Sequence, residues 1–127
     1  MMLLDTCTLL WLADEQKQLS ERARQLIEDN AGSLFVSAIT AFEIAVKHRR
    51  GALVLPLPPH EWIAAALEQH GIADIPIDWR IAEQSVSLPL LHKDPADRLI
   101  VATARATGLT VLTPDPLIAA YDVRVAW

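Results

Sequence analysis

The chain has 127 residues, with 11 lysines and arginines against 16 aspartates and glutamates, a net charge of −5 and a single cysteine. That length suits one domain able to bury about two thirds of the surface its unfolded chain exposes, and 52% hydrophobic with 21% charged residues excludes intrinsic disorder. The acidic balance excludes a wide basic face for coating nucleic acid, yet it leaves room for a nuclease, because an acidic metal pocket itself lowers the net charge.

Met1 to Asp5 reads as a short buried strand running into an acid, and Thr8 to Ala13 as a helix. Ser20 is placed to cap a helix through Asn30, with Ala23, Leu26 and Ile27 on one face, and Leu34-Phe35-Val36 follows as a second strand. From Ser37 a helix is predicted to Arg50. It closes on the cations Lys47-His48-Arg49-Arg50, which suit a helix C-terminus, and on Gly51. The prolines between Pro56 and Pro59 open another helix, Glu61 to His70, which Gly71 ends. Ile72 to Ile77 is a third strand, with Pro76 marking an end or an edge, and Trp79 to Ser87 is helical. Asp94-Pro95 starts a helix, Asp94 as its cap, and Gly108 stops it. Thr110-Val111-Leu112 is the fourth strand and Val123 to Val125 a short fifth.

Strands that alternate with helices imply an α/β fold of three layers, a mostly parallel sheet of four to five strands covered on both faces. No internal repeat or long linker divides the chain, so residues 1–127 read as a single domain. No run approaches the ~18 apolar residues of a membrane span, the N-terminus lacks the basic region of a secretory signal, and Cys7 alone cannot form an internal disulfide. A cytoplasmic setting is expected.

In folds of this class ligands bind outside the carboxyl ends of the strands. Two strands run into an aspartate there, Leu3-Leu4-Asp5 and Val111-Leu112-Thr113-Pro114-Asp115. Asp97 falls in the first turn of its helix, and Glu43 stands among apolar residues in Ala38 to Val46. Each acid has an ordinary explanation: a turn residue at Asp5 or Asp115, support for the helix dipole at Asp97, a helical pair with Lys47 at Glu43. Brought to one sheet edge, however, the four would repel one another, and a divalent cation would resolve that repulsion. Mg2+ and similar hard ions take oxygen ligands and keep several waters, so a few carboxylates suffice.

Other chemistries find little support. Cys7 has no histidine near it in sequence, and His48, His60, His70 and His92 lack zinc-ligand spacing. The glycines are scattered helix stops that form no phosphate-cradling loop, and no serine sits in a nucleophile elbow. Trp11, Trp62, Trp79 and Trp127 read mainly as core or subunit-contact residues.

The stretches Leu3-Leu4-Asp5-Thr6, Leu9-Leu10-Trp11-Leu12, Val36-Ser37 through Glu43-Ile44-Ala45-Val46-Lys47, His92-Lys93-Asp94-Pro95-Ala96-Asp97-Arg98-Leu99-Ile100 and Leu112-Thr113-Pro114-Asp115 resemble the PIN-domain nucleases. Within that family they are most similar to the VapC-type toxin ribonucleases of toxin–antitoxin pairs. The resemblance covers nearly the whole chain. It implies a PIN-like α/β/α sandwich that binds Mg2+ or Mn2+ and hydrolyses RNA. It further implies that Asp5, Glu43, Asp97 and Asp115 are the metal-binding catalytic acids. Lys47 and Arg98 would contact phosphate, Thr6 and Thr113 would orient carboxylates, and Asp94 would cap its helix. A cognate antitoxin and a homodimer are the partners implied. Phe42 stands where relatives often have tryptophan, and Pro114 where many have a basic or small residue. Two other readings stay open: a phosphotransfer or phosphatase domain with Asp5 as nucleophile, and a non-catalytic RNA- or protein-binding module. The first would want a second aspartate where Cys7 stands.

Overall fold

Helix starts follow the capping chemistry of the sequence. In the computed structural model, which describes residues 1–127, the chain runs β1 (Met2–Leu4), α1 (Thr6–Asp14), α2 (Glu21–Asp29), β2 (Leu34–Ser37), α3 (Ala38–Arg49) and α4 (Pro59–His70). It continues through β3 (Ile72–Ile75), α5 (Trp79–Ser87), α6 (Pro95–Thr107), β4 (Thr110–Leu112), α7 (Pro116–Ala119) and β5 (Val125–Ala126). Asp5, Ser20, Ser37, Asp78, Asp94 and Asp115 each accept a hydrogen bond from a backbone N–H in the first turn of the helix they precede. At the other ends, Gly71 and Gly108 stop α4 and α6 in the left-handed conformation, at φ 61° and 73°.

The five strands form one wholly parallel sheet in the order β3-β2-β1-β4-β5. From β1 the chain steps outward through β2 to β3, then returns across to β4, so the strand order reverses between β1 and β4. That reversal opens the crevice in which such sheets bind ligands. Side-chain alternation along the central strands splits the core in two. Met2, Leu4, Leu34, Val36 and Leu112 pack with Leu9, Leu12, Ala23 and Trp62 on one face. Leu3 and Val111 pack with Ile81, Ile100, Val101 and Ile118 on the other. Helix α3 touches α1, α4 and α6 and bridges the two layers. The expected three-layer sandwich is what forms. No helix is long and apolar enough to cross a membrane.

The departures from expectation are local. Strand β3 ends at Ile75, opposite Ser37 at the end of β2, because Pro76 has no N–H to continue the ladder, and β3 is an edge strand. Strand β5 begins two residues late, since the Val123 amide donates to the Tyr121 carbonyl in a turn. Helix α1 starts at Thr6 rather than Thr8 because Asp5 caps it. Helix α7 was not anticipated, although Asp115-Pro116 repeats the Asp94-Pro95 start signature. Trp62 is buried in the core, Trp11 and Trp127 pair with ring centres 5.8 Å apart, and Trp79 lies exposed beneath the Arg80 guanidinium.

Candidate active site

A cleft of about 140 Å³ opens at the carboxyl edge of the sheet, lined by Asp5, Thr6, Cys7, Leu10, Glu43, Lys47, Asp94, Asp97 and Asp115. The four acids singled out in the sequence therefore meet, carried by four different segments: the end of β1, the middle of α3, the first turn of α6 and the turn after β4.

Asp5 is the most tightly held. It is 3% exposed, and its Oδ1 accepts the Thr8 backbone N–H at 2.9 Å while the Thr8 hydroxyl sits between Oδ1 and the Leu112 carbonyl. Its Oδ2 accepts the Thr113 hydroxyl from the end of β4. Burial raises the Asp5 carboxyl above the ordinary aspartate range, and the hydrogen bonds from Thr113 and Thr8 offset only part of that. The Thr113 hydroxyl also accepts the Asp115 backbone N–H at 3.0 Å, so one side chain sets the positions of two acids.

Glu43 is held differently. One oxygen pairs with Lys47 at 3.4 Å, one helical turn away, while the buried Oε1 has no hydrogen-bond partner. A buried carboxylate oxygen with no hydrogen-bond partner is costly, and a cation at that place would pair it. Hard oxygen donors on several sides of a small cleft, one of them orphaned, fit Mg2+ or Mn2+.

On the far wall, Asp97 Oδ2 and Asp115 Oδ2 lie 2.9 and 3.1 Å from the same atom, His92 Nε2. Burial, with the negative charges of Asp94, Glu43 and Asp5 adding to it, pushes Asp97 up to about 7, against the pull of His92. The nitrogen of His92 and one oxygen from each of Asp97 and Asp115 lie within 4.8 Å of one another, close enough to share an ion. Asp94 caps α6 through the Ala96 N–H at 2.9 Å, as expected, and also lines the cleft. At Asp5 and Asp115 alike, Oδ1 caps a helix while Oδ2 meets a residue of another segment.

Three expectations need correction. Arg98 does not reach the cleft. Its buried guanidinium donates to the carbonyls of Val86, Leu88, Pro89 and His92, so its N–H groups are spent inside the fold rather than kept for phosphate. Thr6 lines the cleft, but its hydroxyl meets that of Thr40 at 3.1 Å; Thr8 does the carboxylate-orienting work instead. His92, set aside for lack of zinc spacing, is a member of the site. It lies five residues before Asp97, in a stretch already singled out, but its second partner, Asp115, is 23 residues away. Lys47 stands at the cleft as expected, half exposed beside Glu43. The Cys7 thiol is pushed up to about 12 by burial and by the neighbouring charges of Asp5 and Asp97, which makes it a poor nucleophile.

Known proteins resemble this chain in sequence and in fold. The PIN domain profile matches residues 2–123. The chain is 36% identical over 114 residues to ribonuclease VapC22 of Mycobacterium tuberculosis, covering 89% of this chain and 85% of that one. Its fold is similar to that in the crystal structure of DNA-bound VapBC from Salmonella typhimurium, with a TM-score of 0.71, 18% identity, and 98% and 96% of the two chains covered. It is likewise similar to a toxin–antitoxin complex from Klebsiella pneumoniae, with a TM-score of 0.68, 24% identity, and 100% and 97% covered.

Proposed function

The chain belongs to the PIN domain family, and from that footing we propose that it is a Mg2+- or Mn2+-dependent endoribonuclease, the toxin of a toxin–antitoxin pair. One observation carries the reading: Asp5, Glu43, Asp97 and Asp115 converge on a single cleft at the point where the strand order reverses. The likeness to a ribonuclease at 36% identity supports the same chemistry.

Asp5, Glu43, Asp97 and Asp115 would hold the ion through carboxylate oxygens. A bound divalent cation supplies the acidity that makes a water nucleophilic near neutral pH and the charge that stabilises the departing oxygen. The chain's own part is to place the acids. Thr8 and Thr113 fix Asp5, Thr113 fixes the backbone of Asp115, and Glu43 keeps one oxygen free of protein partners. Lys47 offers its ammonium to a phosphate of the RNA backbone at the cleft mouth. With both Asp5 oxygens engaged and Cys7 at the position of a second aspartate, Asp5 is poorly set up as a covalent nucleophile.

A cognate antitoxin is the natural partner of an acidic cleft of this kind, laying a segment across it and presenting a basic residue. The Klebsiella relative, itself a toxin–antitoxin complex, supports that role. Exposed Phe42, Trp79, Val86, Leu90 and Leu117 supply apolar surface for a homodimer in the cytoplasm. The deciding experiment incubates the purified chain with RNA. Cleavage in Mg2+ that stops with EDTA and with Asp5→Asn is the expected result; cleavage that survives either change overturns the proposal.

A further inference from the structure

His92 stands in the turn that leads into α6, five residues before Asp97, and several buried polar groups hold it there. Its backbone N–H donates to the Tyr121 hydroxyl at 2.9 Å, and its carbonyl accepts an N–H of Arg98 at 3.2 Å. Tyr121 in turn donates its hydroxyl proton to the Pro89 carbonyl at 2.8 Å. Arg98 reaches the Val86, Leu88 and Pro89 carbonyls as well, so the turn leading into His92 is laced to α6 by the residue next to Asp97. A buried guanidinium held by neutral carbonyls is expensive to desolvate, and such a group is kept where it fixes a geometry.

The ring is oriented just as closely. Nδ1 accepts the Asp94 backbone N–H at 3.2 Å, which leaves the ring proton on Nε2. Nε2 faces Oδ2 of Asp97 at 2.9 Å and Oδ2 of Asp115 at 3.1 Å, oxygens carried by two different elements. Asp115 Oδ1 is already occupied by the Leu117 N–H at 2.8 Å, which fixes the carboxylate from its other side. Two carboxylates this close repel each other unless a donor or a cation stands between them.

We propose that His92 is a positioning residue: its Nε2–H is shared between Asp97 and Asp115 and holds the two carboxylates at one spacing, ready for a divalent cation, while Arg98 and Tyr121 hold His92. The inference deepens the nuclease reading and rests on it for the ion, though the clamp itself is a property of the metal-free chain. It also gives Arg98 a role, that of a buried strut behind the site.

Two measurements test it. Calorimetric titration with Mn2+ alone compares the wild-type chain with His92→Phe, His92→Gln and Tyr121→Phe. Loss of an outer partner of a metal ligand weakens binding about 10- to 100-fold, and that is the loss expected of His92→Phe. Glutamine places an amide N–H near the position of Nε2, so His92→Gln recovers most of the affinity. Tyr121→Phe falls between, at several-fold, with the melting temperature in EDTA separating a lost clamp from a lost fold. Nitrogen-15 spectra of the metal-free wild type report which ring nitrogen carries the proton; Nε2 is expected, and a proton on Nδ1 overturns the clamp. Mn2+ binding by His92→Phe equal to or tighter than wild type also overturns it and leaves the nuclease reading standing. A wild-type chain that binds no Mn2+ overturns the nuclease reading instead, and the ring-nitrogen spectrum then decides the clamp.

Discussion

Asp5 and Glu43 flank the same cleft, but the fold treats them in opposite ways. At Asp5 both carboxylate oxygens accept hydrogen bonds, from Thr8 in the next helix and Thr113 across the sheet, and the residue is only 3% exposed at the cleft wall. At Glu43 one oxygen leans on a half-exposed lysine, and the other is buried with nothing to bind. The first acid is fixed by the protein. The second keeps one oxygen that no group of the protein pairs. Replacing Asp5 should therefore disturb folding and chemistry together, whereas replacing Glu43 should separate them.

The largest effect is expected at the fixed acid. Asp5→Asn keeps the helix cap but removes the charge, and RNA cleavage and Mn2+ affinity should fall more than about 100-fold, beyond the range of outer-partner losses. Chemical denaturation gives the next contrast. Thr113→Val strands Asp5 Oδ2 and the Asp115 N–H and should cost about 1–3 kcal/mol, while Asp5→Ala loses about 1 kcal/mol with the cap and more with the Thr8 and Thr113 hydroxyls it leaves without their acceptor. Glu43→Gln should leave the stability measured in EDTA unchanged or raised, because it removes a partly unpaired buried charge, while still suppressing cleavage. A Glu43 variant that destabilises the metal-free chain as much as Thr113→Val would erase the distinction drawn above.

Asp97 links the comparison to pH. Its folded pKa, about 7, lies above the ordinary value of 3.8, so the folded chain holds a proton that the unfolded chain releases. Metal-free stability should consequently fall as pH rises from about 4 to about 7 and level off above. Asp97→Asn should flatten that slope in melting curves recorded across the window, and added Mg2+ should restore stability most on the alkaline side. The smallest effect belongs to Lys47. Its pair with Glu43 is a helical i,i+4 pair with a half-exposed ammonium, worth a few tenths of a kcal/mol, so Lys47→Ala should leave the melting temperature in place and raise the KM for RNA a few-fold with kcat little changed.

Much of this arrangement was legible along the chain. The Asp94-Pro95 start and Gly108 stop of α6, the boundaries of β4, and the cap at Ser37 depend on neighbours in sequence, and they appear where local chemistry puts them. Asp5 and Asp115 could be picked out because each follows a strand, and Glu43 because it is a lone acid in an apolar helix. What stayed hidden depends on partners far apart. Thr113 was expected to orient a carboxylate, but only the fold shows that it reaches Asp5 across 108 residues; His92, which meets Asp115 across 23, was not expected in the site. The resemblance made Arg98 a phosphate contact, and nothing along the chain shows that its guanidinium is taken up by four carbonyls and the Tyr121 hydroxyl. Helix α7 is a different matter: its Asp-Pro signature was in plain view, at the edge of a four-residue element.

By itself the sequence determined the layers, the strand set and the acids at the strand ends, because hydrophobic period, caps and turn residues act over a few positions and leave their mark in order. Only the tertiary structure decided that both oxygens of Asp5 are engaged while Glu43 keeps one unpaired, and that a histidine stands between two of the acids. Those outcomes depend on hydrogen-bond geometry of a few tenths of an ångström between segments that meet after the sheet has closed, and no linear spacing encodes them.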